Sequence, residues 1–300
     1  MSVKKDGFKS GFIALIGRPN VGKSTMVNTL VGKKVAIVAD KPQTTRNRVS
    51  AVVNVEGAQL VFIDTPGIHK PSHALGEYMV DQAKDTMDEV DLVLFVLDAT
   101  APSHSADKKV REYFRQTKTP VWIVLNKCDL AQSDMVESTL AGIADVEQFE
   151  KVIRISALTG LGMGELTDEI LKVIPHGPQY YPDDIITDHP EKFIVAEFIR
   201  EKLINYTREE IPHSVAVDID SMEKRADKDI VDISANIYVE RESQKGIVIG
   251  NGGSMLKKVS TDARLDIERL LGSKVNLKVW VKVKKDWRDD TSMLTRLGYE

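Results

Sequence analysis

Gly17-Arg18-Pro19-Asn20-Val21-Gly22-Lys23-Ser24 is the stretch on which the rest of the chain turns. It fits G-x-x-x-x-G-K-[ST] and lies between an apolar run at 12–16 and a helical pattern over residues 23–31. A strand, a Gly-containing loop and a helix, in that order, make a cradle for phosphate. The glycines let backbone come close to the anion, and successive N–H groups at the helix start present positive partial charge. Lys23 would reach the β- and γ-phosphates as a point charge, and the Ser24 hydroxyl would ligate Mg²⁺.

Working outward, short apolar β-branched runs recur at 49–55, 59–63, 92–97, 121–125 and 152–155. The first two flank Glu56-Gly57, a turn signal. Helical stretches lie between the others, near 76–89, 105–117, 134–144 and 163–173. Near-continuous apolar strands alternating with helices predict an α/β unit: a mostly parallel sheet with helices on both faces.

Three short motifs sit at strand ends, where ligands bind in such sheets. Asp64-Thr65-Pro66-Gly67 follows the strand at 59–63. Its Asp can hold Mg²⁺ through water, and the Gly67 N–H can bind a γ-phosphate. Asn126-Lys127-Cys128-Asp129 follows 121–125. The Asp129 carboxylate can accept from guanine N1–H and its exocyclic amine, a donor pair adenine lacks. Ser156-Ala157-Leu158 follows 152–155, where a backbone N–H can meet the guanine O6. Each motif alone is common; their order along one sheet is not.

Together these elements resemble the G1, G3, G4 and G5 motifs of the translation-factor-related P-loop GTPases. The resemblance implies a G2 switch threonine between Gly22 and Asp64, and Gln43-Thr44-Thr45-Arg46 matches it. By the family pattern Thr45 is the Mg²⁺ ligand and γ-phosphate sensor, with Thr44 as the fallback. A plain hydroxyl turn is the structural alternative for both. Ras-like GTPases place a water-orienting glutamine directly after D-x-x-G. Here Ile68 stands there and cannot hydrogen-bond water, so slow intrinsic turnover is expected. In related loops of the G-R-P-N-x-G-K-S type the Asn helps bind K⁺, which makes Asn20 a candidate K⁺ ligand. Loop stabilisation is its other reading. Cys128 reads as a small half-buried side chain, and His69, His73 and His104 lack the clustered partners of a metal site.

The α/β pattern stops near Ile174, and a Pro-rich, aperiodic stretch follows. The expected organisation is a GTPase domain over 1–175, a linker over 176–191 and a second domain over 192–300. In that second part residues 192–206 have helical spacing, and 214–219 and 230–239 alternate like strands. Gly250-Asn251-Gly252-Gly253 contains G-x-x-G after Ile247-Val248-Ile249 and before a helix bearing Lys257 and Lys258. Strand 274–283 carries Val275, Leu277, Val279, Val281 and Val283 on one face, and Lys274, Asn276, Lys278, Trp280, Lys282 and Lys284 on the other. The order helix, strand, strand, short helix, loop, helix, strand resembles a type II KH domain, a smaller α+β unit that clamps about four nucleotides of single strand. The resemblance assigns RNA contacts to Ile249, Gly250, Asn251, Gly252, Gly253, Lys257 and Lys258, with 247–249 as the apolar groove edge. A solvated basic face is the plain alternative. Trp122, Trp280 and Trp287 read as core or interface residues.

A GTPase followed by a type II KH domain resembles the Era family over nearly the whole chain. That resemblance implies a GTP/GDP switch that requires Mg²⁺. It implies binding to the 3′ region of 16S rRNA and assistance to small (30S) ribosomal subunit assembly. It also implies a cytoplasmic, monomeric protein with peripheral association at the inner face of the cell membrane. An alternative keeps the GTPase but gives the basic domain membrane lipid or another anionic partner; a metabolic nucleotidase is a second.

Composition sits beside this reading. The 300 residues carry 41 Lys+Arg against 45 Asp+Glu, a net charge of −4. Taken whole, that discourages a nucleic-acid partner. Residues 241–285, however, hold eleven basic against four acidic side chains, net +7, leaving −11 for the remainder. The single cysteine excludes a disulfide within the chain. No apolar run approaches the ~20 residues that span a bilayer, and no signal peptide is expected from the polar start.

Overall fold

The computed structural model describes residues 7–68, 71–101, 105–115, 117–143 and 149–299. His69 and His104 lie outside the described residues. The chain divides into two compact units. The first comprises Met1–Ala36, Thr45–Lys70 and Met79–Asp188; the second Ile37–Thr44, Pro71–Tyr78 and His189–Glu300.

From the N-terminus the elements are β1 (Lys9–Ile16), α1 (Lys23–Val31), β2 (Val49–Val55), β3 (Ala58–Asp64), α2 (Ala74–Asp88), β4 (Leu92–Asp98), α3 (Ser105–Phe114), β5 (Val121–Asn126), α4 (Ser133–Ala141), β6 (Val152–Arg154) and α5 (Met163–Val173). The strands form one sheet in the order β2-β3-β1-β4-β5-β6. Among the described residues only the β2–β3 pair of this sheet is antiparallel. Every residue of β3, β4 and β5 is buried, which is why those segments read as unbroken apolar runs rather than alternating ones. The placement of β1 matters most for function. It lies between β3 and β4, so the chain leaves it to one side and returns on the other. The crevice beyond its carboxyl end is the topological switch point, where α/β sheets bind ligands.

Gln59 shows how the Pro-rich stretch is held. Fully buried, it accepts at 2.9 Å from the N–H groups of both Tyr180 and Tyr181 and donates at 2.8 Å to the Tyr181 carbonyl. Phe12 packs on Tyr180 with ring centroids 4.9 Å apart, and Val52 N–H donates to Ile186 at 2.9 Å. Residues 180–186 are therefore anchored along the first unit.

The second unit contains α6 (Glu191–Tyr206), α7 (Ile211–Ser214), β7 (Ala216–Lys224), β8 (Ile230–Val239), α8 (Glu242–Ile249), α9 (Ser254–Leu271), β9 (Lys274–Val283) and α10 (Thr291–Arg296). Its sheet has the order β7-β8-β9, antiparallel then parallel. Val259, Ala263 and Ile267 recur every fourth residue on α9 and join Val195, Phe198 and Ile199 of α6 over Ile233 and Ile237 of β8. Leu277, Val279, Val281 and Val283 of β9 pack against this core, which leaves the even-numbered residues on the opposite face.

One expectation is corrected here and another narrowed. The strand expected at 214–219 runs instead over Ala216–Lys224, because Ser214 closes α7 and a register shift between Ile219 and Ser221 breaks the alternation midway. Of the three tryptophans read as core or interface residues, one lies outside the core. Trp122 and Trp287 are fully buried, whereas Trp280 is 48% exposed.

Candidate nucleotide site and nucleic-acid groove

The loop at residues 17–24 leaves the end of β1 and turns into α1, so its backbone N–H groups face the switch point. Gly22 has φ +98°, and a Cβ there would lie 2.2 Å from Asn126 Nδ2. Only glycine fits both that backbone and that lack of space. Asn126 explains the close approach. Its Nδ2 donates to Val21 O at 2.8 Å, and its Oδ1 accepts from Ala157 N–H at 2.8 Å. One side chain from the end of β5 thus ties the phosphate loop to the loop after β6. Lys127 continues the work: its Nζ donates to Asn20 O at 2.9 Å and to Asp98 Oδ2 at 2.7 Å.

Asp98, at the end of β4, is a site residue that motif reading missed. It pairs with Lys127, stands 3.9 Å from Arg18, and accepts from the Thr100 hydroxyl and N–H. Burial opposes its charge, but the hydrogen bonds from Lys127 and Thr100 outweigh that and hold its carboxyl below the usual range. The only signal in the sequence was its position at the carboxyl end of a buried strand.

Beneath the loop, three oxygen-bearing side chains converge. Ser24 Oγ donates to Asp64 Oδ2 at 2.6 Å, the Ser24 and Thr45 hydroxyls are 3.0 Å apart, and Thr45 Oγ1 lies 3.4 Å from Asp64 Oδ2. The other Asp64 oxygen is buried without a hydrogen-bond partner among the described residues. Two hydroxyls and an under-satisfied carboxylate suit a small hard cation such as Mg²⁺. Burial raises the Asp64 pKa above the usual value, against the opposing pull of Lys23. Thr44 is placed differently. Its hydroxyl donates to Lys41 O at 2.6 Å and its carbonyl accepts from Arg200, both within the second unit. Thr45, not Thr44, stands at the Ser24–Asp64 cluster.

Lys23 is also buried, and its Nζ donates to the carbonyls of Gly17 and Arg18 at 3.1 Å. Burial lowers its pKa to about 8. It is a cation poorly solvated by its surroundings, which favours an anionic ligand. Gly67 lies so close to Pro19 that a Cβ would meet the Pro19 nitrogen at 2.6 Å. Ile68 is buried in the core with Ala14, Ile16 and Ala83 and contributes no polar group. On the base side Asp129 is exposed, Ser156 is fully buried, and Leu158 is 78% exposed. Cys128 is half-buried, its thiol donating to Leu125 O, and burial raises its pKa, so it is not a reactive thiolate.

The second unit has its own concavity, a groove of about 610 Å³ lined by Ser243, Gly246, Ile247, Gly250, Asn251, Ser254, Met255 and Lys258. Gly252 has φ +57°, and nothing lies within 4 Å of a Cβ built there. The loop therefore presents open backbone at the start of the 18-residue α9. Of the three apolar residues expected at the groove edge, Ile247 is 53% exposed and lines it, while Val248 is fully buried in the core. Helical spacing on α8 separates them. Lys258 lines the groove, with its Nζ 4.0 Å from the centroid of the Tyr206 ring; Lys257 is exposed.

Comparison with known proteins follows the same division. Residues 12–127 match the family model described as a 50S ribosome-binding GTPase, and residues 210–288 match the KH domain model. The chain is 50% identical over 293 residues to GTPase Era of Alkaliphilus metalliredigens (strain QYMF), covering 98% of this chain and 99% of that one.

The chain belongs to the Era GTPase family.

Two solved Era structures agree with it throughout. One is Era in complex with MgGDPNP and nucleotides 1506–1542 of 16S ribosomal RNA; the other is a tyrosine-to-alanine variant of Aquifex aeolicus Era bound to GDP·AlF4⁻. Each is 39% identical, superposes with a TM-score of 0.93, and covers 97% of this chain and 99% of its own. As a member of the Era family the protein is a GTPase with a C-terminal KH domain.

Proposed function

We propose that the protein is a GTP-hydrolysing switch that binds the 3′ region of 16S rRNA through its KH groove and assists small-subunit assembly. The observation that carries this is the pairing of a Ser24–Thr45–Asp64 cluster beside buried Lys23 in one unit with an open groove bearing Lys258 in the other. The Era relative bound to nucleotides 1506–1542 of 16S ribosomal RNA supports the RNA identity.

In this reading the N–H groups of the 17–24 loop bind the phosphates and Lys23 holds the β- and γ-oxygens. Ser24 and Thr45, with Asp64 through water, would hold Mg²⁺, which would neutralise charge on the phosphates. Gly67 N–H reports the γ-phosphate. Asp129 accepts from the guanine ring, and one backbone N–H of the Ser156-Ala157-Leu158 loop meets its carbonyl oxygen. With Ile68 in the core, the attacking water must be oriented by backbone, switch residue, ion or partner, and basal turnover is slow. Asn20, at φ +65° in the loop, is the K⁺ ligand of this scheme. Residues 1–175 form the GTPase domain and 192–300 the KH domain. No helix among the described residues is long and apolar enough to cross a membrane. The protein works in the cytoplasm, with peripheral contact at the inner membrane face.

RNA affinity measured with GDPNP and with GDP tests the switch. A difference of about fivefold or more is expected; equal affinities sink the switch. Turnover in K⁺ against Na⁺, for the unmodified protein and Asn20→Ala, tests the ion: equal rates in all four exclude it.

A further inference from the structure

Strand β9 turns one face to the core and the other outward. The outer face holds Lys278, Trp280 and Lys282, all exposed, at every second residue. Their spacing along the strand is roughly 6.7 Å per pair of residues. A large aromatic ring stands 48% exposed between two lysines, and nothing in the core requires it there.

We infer that this outer face of β9 is a second RNA-binding surface, on which Trp280 stacks against a base while Lys278 and Lys282 hold phosphates on either side. The proposal rests on the RNA-binding reading above and concerns a different face from the Gly-rich groove. The groove is lined from α8 and α9; Trp280 points away from the core those helices cover.

The charges on the sheet choose the path. Four other cations on the unit are paired: Arg225 with Asp232 at 2.6 Å, Lys274 with Glu268 at 3.3 Å, Lys284 with Asp290 at 2.8 Å, Arg296 with Asp218 at 3.1 Å. Among the described residues, neither Lys278 nor Lys282 has a carboxylate within ion-pair distance. Acidic side chains collect on the β7 side, at Asp218, Asp220 and Glu223. A polyanion would therefore run along β9 and not across the sheet. Opposite Trp280 in register stands Asn236, buried, with its amide nitrogen unpaired among the described residues.

A lipid surface fits less well. Its neighbours on this face, Asn276, Asp232, Ser234 and Asn236, are polar, and the nearby ring of Tyr238, opposite Lys282, is buried, so Trp280 is the one exposed apolar tip among them. Membrane insertion needs a broad apolar face, whereas stacking needs one ring between cations, and each stacked base is worth about 1–3 kcal/mol.

The test uses the full chain. Affinity for the 16S segment 1506–1542 is compared with affinity for a single strand of about four nucleotides, the span a KH groove clamps. Trp280→Ala with Lys278→Gln and Lys282→Gln is expected to weaken the long RNA about tenfold or more and to leave the short one within about twofold. Trp280→Phe keeps a ring and is expected to retain most of the affinity. Because Trp122 and Trp287 are fully buried, the long RNA should quench tryptophan fluorescence in the unmodified protein and not in Trp280→Phe. Unchanged long-RNA affinity in the triple variant, with no quenching, overturns the proposal while leaving groove binding intact. Loss of binding to phosphatidylserine vesicles with RNA binding unaffected overturns it in favour of lipid. Failure of the unmodified protein to bind either RNA overturns this proposal and the reading beneath it together.

Discussion

The nucleotide end of the first unit and the Gly-rich groove of the second are both proposed as anion sites, yet they are built in opposite ways. The first is buried and internally tied. Asn126 bonds two loops at 2.8 Å each, Lys127 bonds a third strand end, and Lys23 sits with 5% exposure on carbonyl oxygens. The second is open: Asn251, Gly252, Ile247 and Lys258 are exposed, and a Cβ at Gly252 would meet nothing. A buried site can measure one phosphate, because each polar group there depends on its partner. An open groove accepts a flexible strand and depends on summed charge, which salt weakens. A timer joined to an RNA grip needs one of each.

The difference is sharpest in what single substitutions should do. The largest effect is expected at Lys23. Lys23→Met should lower GTP affinity by about a thousandfold or more, since it removes the buried cation facing the phosphates. The pH profile supplies the sign. Burial holds the free-state pKa at about 8, and bound phosphate favours the charged form. Affinity should therefore be flat below about pH 8 and fall by up to about tenfold per unit above it. Calorimetric titration checks this, and a flat profile in Lys23→Met locates the effect.

A smaller but still large loss is expected at Gly22. Alanine there meets Asn126 Nδ2 at 2.2 Å with φ +98°. Gly22→Ala should cost about 2–4 kcal/mol of stability and displace the phosphate loop. A melt beside a nucleotide titration would show both, and unchanged values would mean the contact is not obligatory. The smallest effect is expected at Cys128, which only donates to Leu125 O. Cys128→Ala should change stability by about 1 kcal/mol or less and GTP affinity by under about twofold. A large loss of turnover there would break the picture of an inert thiol.

How much of this could be read beforehand follows the same contrast. The first unit was legible because β3, β4 and β5 are buried on both faces and because its motifs fall at strand ends. What pattern could not show was the wiring between those ends. Asp98 belongs to no motif, and nothing local distinguishes Gln59, whose partners are some 120 residues away. In the second unit the strands and longer helices are legible, but the short α7 and α10 are not, and edges differ. The register shift after Ile219 ends the period-two signal while β7 continues to Lys224. Ile247 and Val248 are neighbours in sequence, yet a helix sends one to the groove and the other to the core. For Trp280 the period-two pattern gives the right face, opposite Val279 and Val281, while residue type alone leaves core and interface open.

The central claim is that GTP and RNA occupy separate, independently built sites. Gly252→Asp tests it most directly. The position is open and Asp tolerates positive φ, so the substitution adds a negative charge to the groove without a clash. RNA affinity and GTP turnover are measured on the same preparation. RNA affinity should fall about thirtyfold or more while turnover stays within about twofold of the unmodified protein. Unchanged RNA affinity, or loss of both activities in a protein that still melts normally, would contradict it.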